Sequence, residues 1–377
     1  MPTPLPSTEA TDLTPPSAEE AQLVARAVIT AIAPDSGPTP LQLVLVQAMF
    51  DALTGTTVDL DAGPVGPVEL AERLSQRNEA YRTRILQVMI LGALVLRPLP
   101  GHVVERLDAV AAELSVGDGM LAIARDYAAD SFGLAAVDFD RNGYTADWDP
   151  GSRRSLHTST SLAEAWQSAG DDATLAAGWR SLEELPSGTL GRRITEFYRS
   201  RGFAYPGTPG SAPPLLAQHD WVHLVADYGT TVESELEVFA FIARANDDPR
   251  AFSLLAMVVS LFETGALASG AGLFEAFPGQ LSRSGVAVRV ADAMRRGALV
   301  SGSVDFMDVD WFELAPMPVE EVRARFGVVP KSARAVSAGS VGPWESGGIS
   351  AFQLQAGAAA ALALGEPYDS FGAEVAP

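Results

Sequence analysis

The chain has no cysteine, a single lysine (Lys331) and only four histidines. Without cysteine there are no disulfides, no thiolate metal ligands and no cysteine nucleophile. Positive charge is scarce as well: the formal net charge is −21, which excludes nucleic acid as an expected partner. Long apolar runs are missing. The two longest, Ile85 to Leu96 and Ala251 to Phe262, are each about a dozen residues, whereas a membrane-spanning helix needs ~20. The opening Met1-Pro-Thr-Pro-Leu-Pro6 carries neither a basic n-region nor an apolar h-region, so no secretory signal is expected. These absences predict a cytoplasmic protein, at most peripheral to the inner face of a membrane. The N-terminal half also lacks alternating apolar runs, which predicts helices rather than strands.

Among the residues present, one stretch concentrates chemistry: Ala217-Gln-His-Asp-Trp-Val-His-Leu-Val-Ala-Asp-Tyr-Gly229, followed by Glu235. His219 and His223 are four apart, so a helix stacks both imidazoles on one face. Asp220 lies ~100° round from His219 but only ~60° from His223. Gly229-Thr-Thr231 reads as a helix stop and restart. Gly229 is expected to take the left-handed position, and Thr230 with Glu233 to form a capping box. An antiparallel hairpin then brings His223 and Glu235 level to within ~3 Å. Glu235 shares a face with Val238, Phe239 and Ile242, so it is expected to be buried, and a buried carboxylate needs a cation, a metal or a donor. Two imidazoles with one or two carboxylates suit Zn²⁺, or Fe²⁺ and Mn²⁺ when positions stay open. Asp220 either completes the ligand set or orients a metal-bound water. Asp227 is the expected hydrogen-bond acceptor behind His223, and Glu237, facing away, is expected to be dispensable.

The predicted architecture is all-α: a helical metal-binding bundle preceded by a second, smaller helical domain. Residues 1–17, proline-rich, form a disordered leader. Residues 18–137 form the N-terminal helical domain, opening at the capping box Ser17-Ala-Glu-Glu20. Residues 138–160 form a linker. Within it Asp138-Phe-Asp-Arg-Asn-Gly143 has the spacing of a Ca²⁺ loop but Asp149 at the twelfth position, so a linker is the better reading. Residues 161–330 carry the metal site and 331–377 an Ala/Gly-rich tail, in which Ile349 to Leu364 is expected to dock as a helix. Near Leu185-Pro-Ser-Gly-Thr-Leu-Gly-Arg-Arg193 a helix N-terminus with Arg192 offers a contact for a substrate carboxylate or phosphate. Solvated arginines on a capped helix are the plainer alternative there.

His219-Asp-x-x-His223 followed by eleven residues and Glu235 resembles the signature of the coenzyme Q (ubiquinone) biosynthesis protein four family. Leu185-Pro-Ser-Gly-Thr-Leu-Gly191 upstream, and Asp310-Trp-Phe-Glu-Leu314 with Met317-Pro-Val-Glu-Glu-Val-Arg323 and Phe326-Gly-Val328 downstream, extend the resemblance over roughly residues 160–330. It implies an all-α fold and a divalent metal, usually taken as zinc, held by His219, Asp220, His223 and Glu235. It also implies peripheral membrane association, often as a dimer, and oxidative decarboxylation of a prenylated hydroxybenzoate. Asp220 and Arg192 are the residues expected to act on such a substrate. The pieces around Ala33-Pro-Asp-Ser-Gly37 and Arg97-Pro-Leu-Pro-Gly101 look faintly like halves of the TerB-type helical domain, with a generic bundle as the plainer reading. Two other functions compete. A zincin-like hydrolase would read His219-Asp-x-x-His223 as His-Glu-x-x-His with a shorter acid. A non-catalytic lipid-binding or scaffold subunit of a biosynthetic complex would use the metal only to pin the hairpin.

Overall fold

The computed structural model describes residues 14–132, 172–209, 211–212, 214, 216–267, 278–300 and 302–376. The leader up to residue 13 and the Asp138–Gly143 loop with its linker lie outside the described residues. Those described are all-helical: sixteen α-helices and no strand. In order they are α1 (Ala18–Ile32), α2 (Pro40–Thr54), α3 (Pro67–Arg73), α4 (Glu79–Leu94), α5 (Gly101–Leu114) and α6 (Met120–Ala128). After the undescribed stretch come α7 (Ala173–Ser181), α8 (Leu190–Arg201), α9 (Gln218–Ala226), α10 (Val232–Ala245) and α11 (Phe252–Val259). Then follow α12 (Val286–Ala298), α13 (Trp311–Leu314), α14 (Val319–Phe326), α15 (Ala333–Ser337) and α16 (Ala351–Leu364).

The boundaries follow local chemistry. Ser17 caps α1 by accepting the Glu20 amide at 3.2 Å. Pro40 sits in the first turn of α2, where its missing N–H costs nothing, and Gly55 ends that helix in the left-handed region at φ 69°. The apolar run from Phe252 stays α-helical to Val259, continues as a π turn over Ser260–Thr264 and stops at Gly265, also left-handed.

Helix α12 organises the packing, lying against α10 on one side and α2 on the other. Gly297 permits the first contact, because a Cβ there would stand 2.4 Å from the Phe241 carbonyl oxygen of α10. Through this shared wall the apolar side chains from Ala21 to Val322 join one continuous core. Arg289 of α12 reaches Glu237 of α10 at 2.6 Å, and the Ser340 hydroxyl donates to the same carboxylate. Glu237 is therefore not a dispensable outward residue. It is fully buried as half of an ion pair, because α12 covers the back of α10.

The motifs upstream and downstream of the histidines meet in space. The Leu190 and Gly191 amides donate to the Met317 and Ala315 carbonyls, both at 2.8 Å, and Thr189 and Pro318 form an isolated antiparallel bridge. Trp311 stacks on Trp221 of α9 with centroids 6.0 Å apart and planes within 6°. Helices α8, α9 and the 311–319 segment thus form one scaffold around the histidines.

Candidate metal centre

Helix α9 has no side-chain cap at its N-terminus, and Asp220 in its first turn complements the positive helix end. Its C-terminus falls earlier than the sequence predicts. Asp227, not Gly229, takes the left-handed position at φ 62°, a conformation Asp tolerates better than most residues. This turns the Asp227 side chain away from His223 and toward Lys331 (3.1 Å) and Arg323 (3.5 Å). The restart shifts by one residue as well: Thr231 rather than Thr230 caps α10, accepting the Ser234 amide at 3.4 Å. Glu235 then sits in the first turn of α10, level with the histidines as expected.

His219, His223 and Glu235 each contribute one ligand atom to a cluster in which all three atoms lie within 4.8 Å of one another. His223 Nε2 is 3.3 Å from Glu235 Oε1, and His219 Nε2 is 3.4 Å from Glu235 Oε2. The other ring nitrogens are occupied by backbone. His223 Nδ1 donates to the Gly229 carbonyl at 2.7 Å, and His219 Nδ1 to that of Leu216. Those carbonyls, not Asp227, orient the imidazoles, and they fix tautomers whose Nε2 lone pairs face the carboxylate. The rings are also packed from the side, His219 against Phe239 (5.1 Å) and His223 against Phe197 (5.5 Å).

The set fits a divalent ion on three counts. A tetrahedral ion with ligands at about 2.0–2.1 Å spaces neighbouring ligand atoms by ~3.3 Å, whereas a charged N–H···O⁻ hydrogen bond would close to about 2.7–2.9 Å. The two imidazole–carboxylate separations, 3.3 and 3.4 Å, lie nearer the first value. Next, His223 Nε2 is fully buried without a hydrogen-bond partner, an arrangement that a metal satisfies. Finally, Glu235 and Asp220 are both buried, so two neutral imidazoles leave two negative charges uncompensated. This buried His219/His223/Glu235 triad could bind a metal ion.

Asp220 stands at the edge of the triad. Its Oδ1 lies 3.5 Å from His219 Nε2, and its Oδ2 accepts the Tyr198 hydroxyl at 2.5 Å. Burial and then the Asp220 charge push the Tyr198 pKa far up, so this hydroxyl stays a donor. Burial also raises the Asp220 pKa, a rise that His219 and His223 oppose only in part. For Glu235 burial pulls upward, but the facing imidazoles outweigh it and hold the carboxyl down at about 2. For His219 burial pulls downward, and the Asp220 and Glu235 carboxylates outweigh it, raising the imidazole to about 9. Without a metal the cluster therefore gathers a proton for the same reason that it attracts a cation.

Arg192 does not join these four residues. Its guanidinium donates to the Glu183 carbonyl and pairs with Glu196 at 3.4 Å. The anion cradle expected at the start of α8 is used up as well. Its first two amides go to the Met317 and Ala315 carbonyls, and the Arg192 amide to the Thr189 hydroxyl.

Two functional elements have no signal in the motif. The first is Tyr198: nothing in the sequence places it on Asp220, twenty-two residues away. The second is the C-terminal segment. The Gly229 amide donates to Val341 and the Thr230 amide to Gly348, each at 3.0 Å. Gln353 clasps Thr230 through both its side-chain amide atoms. Arg201, fully buried, ties the Thr230 hydroxyl to the Pro343 and Gly348 carbonyls. The turn that holds the His223 acceptor is thus clamped by the tail.

No protein-family profile and no curated protein matches the chain. Among solved structures it is similar to that of a putative ubiquinone biosynthesis protein from Nostoc punctiforme PCC 73102, at 18% identity and a TM-score of 0.29, over 66% of this chain and 98% of that one. Fold and site together define an all-helical protein with a buried two-histidine, one-glutamate cluster. No helix among the described residues is long and apolar enough to cross a membrane.

Proposed function

We propose that this chain is a metal-dependent decarboxylase that removes the carboxylate of a hydroxylated, prenylated aromatic ring, as the resemblance of its ordered motifs implies. The convergence of His219, His223 and Glu235, whose ligand atoms lie within 4.8 Å of one another beside Asp220, carries the reading. Zn²⁺ is the first choice of ion, with Fe²⁺ or Mn²⁺ compatible with the same donors. An ion held by His219, His223 and Glu235 would supply Lewis-acid polarisation of a substrate oxygen. The protein's own groups do the rest. The Gly229 and Leu216 carbonyls hold the Nδ1 protons, so that Nε2 is the nitrogen each ring turns to the centre. Asp220, raised by burial, holds and returns a proton at Oδ1, while Tyr198 fixes its Oδ2. Phe197 and Phe239 pack against the two imidazoles and hold the rings in place.

The test is to incubate metal-loaded protein under air with a panel of prenylated hydroxybenzoates. Release of CO₂ that falls sharply in Asp220→Asn is expected, and release from none of the panel would sink the reading. A second reading, a metal that only pins the hairpin, has one observation in its favour: His223 and Glu235 are 0% and 4% exposed. Chelation separates the two. A structural pin unfolds on metal removal, whereas the proposed centre loses turnover and keeps its helicity.

A further inference from the structure

A cavity of about 410 Å³ lies where the N-terminal helices meet the metal-bearing half, within the ~300–1,000 Å³ usual for small-molecule sites. Its apolar walls come from Phe50 and Leu53 of α2, Ile85 of α4, Leu255 of α11 and Met294 of α12. Arg84, Arg244 and Asp247 also line it, near the C-terminal end of α10. Arg84 is committed, donating to Gln87 and to the Asn246 carbonyl, each at 2.9 Å. Arg244 is different. It makes no hydrogen bond or ion pair with the described residues. Burial, and then the Arg84 charge, pull its pKa down to about 9, with Asp247 opposing. Asp118, Asp247 and Asp248 all act on Arg84, so the uncommitted donors at this cavity are those of Arg244, a guanidinium beside apolar walls, a situation that an anion relieves.

We infer that this cavity binds an anionic amphiphile, with its carboxylate or phosphate on Arg244 and its apolar body among Phe50, Leu53, Leu255 and Met294. The site is separate from the metal cluster: Arg244 follows Glu235 by nine residues on α10, about 13 Å along the axis. It does not depend on the chemistry proposed for that cluster.

The experiment titrates the full chain calorimetrically with decanoate, decyl phosphate and decanol below their aggregation limits. One equivalent of an anion is expected to bind at least about tenfold more tightly than decanol, the factor that one charge-assisted hydrogen bond supplies. Comparing the two anions tells a carboxylate ligand from a phosphate one. Arg244→Met should lose the preference and Arg244→Lys keep part of it. Without ligand, Arg244→Met should melt no lower than the parent, since a residue kept for structure would lower the Tm. His223→Ala should bind decanoate like the parent, which keeps this result distinct from failure of the metal reading. The inference is overturned if decanol binds as well as the anions, if neither anion binds, if Arg244→Met leaves anion binding unchanged, or if His223→Ala abolishes it. Should Arg244→Met fail to fold, the comparison of decanoate with decanol on the unaltered chain still decides.

Discussion

Removing the metal should make the protein's stability fall as pH rises, the reverse of what acid-sensitive carboxylates produce. In the metal-free cluster His219 is raised from 6.5 to about 9 by Asp220 and Glu235, despite its burial. A group whose folded pKa lies above its unfolded value stabilises fully below the unfolded pKa. That stabilisation is lost as pH climbs through the folded one, here between about 6.5 and 9. The rise corresponds to roughly 3 kcal/mol at 1.36 kcal/mol per pKa unit, counted once for the His219–carboxylate interaction. In a chain of this size that is a fall in Tm of about 5 °C. Metal binding must displace the same proton, so its apparent affinity should rise about tenfold per pH unit over the same window. The assay is thermal unfolding of chelated protein at several pH values from 6 to 9, beside metal titrations at each. His219→Gln should flatten both curves. A chelated parent whose Tm is level from pH 6.5 to 9, or a slope that survives in His219→Gln, would refute the reasoning.

Four further outcomes are expected. His223→Ala and Glu235→Ala should each lose bound metal on elemental analysis. Glu237→Ala should keep full occupancy yet lose about 3–5 kcal/mol of stability in urea, because Arg289 is left buried without its partner. Tyr198→Phe should retain metal while lowering CO₂ release, because Asp220 loses the donor that fixes it; unchanged turnover would remove Tyr198 from the site. Gly348→Ala should weaken metal binding by calorimetry although it touches no ligand, since a Cβ there would stand 2.2 Å from the Gly342 carbonyl oxygen and displace the segment that holds Gly229.

Most of the helices were legible because their signals are local. Ser17, Pro40 and Gly55 mark α1 and α2 through hydrogen bonds and torsions that span only a few residues. The histidine pair was legible for the same reason, and Glu235 because its face of α10 is otherwise apolar. What sequence reasoning misplaced depends on competition between neighbours or on distant chain. Asp227 and Gly229 both tolerate a left-handed torsion, and only packing decides that Asp227 takes it. That choice carries Asp227 to Lys331 and gives the task of orienting His223 to a backbone carbonyl. Glu237 looked outward because nothing local shows that α12 will cover it. Arg192 looked like an anion ligand because the carbonyls that consume the neighbouring amides come from residues 315 and 317.

The clamp on the Gly229–Thr230 turn also sets an order of events. A ribosome delivers the chain from its N-terminus, so both ligand-bearing helices emerge about a hundred residues before the 341–353 segment that steadies their turn. During that interval His223 has its partners in sequence but not the fixed acceptor that aims its Nε2. Tight capture of an ion at these ligands would thereby wait until residues 341–353 have been made. A nascent chain stalled upstream of the clamp would carry His219, His223 and Glu235 without the contacts that steady the turn between their helices.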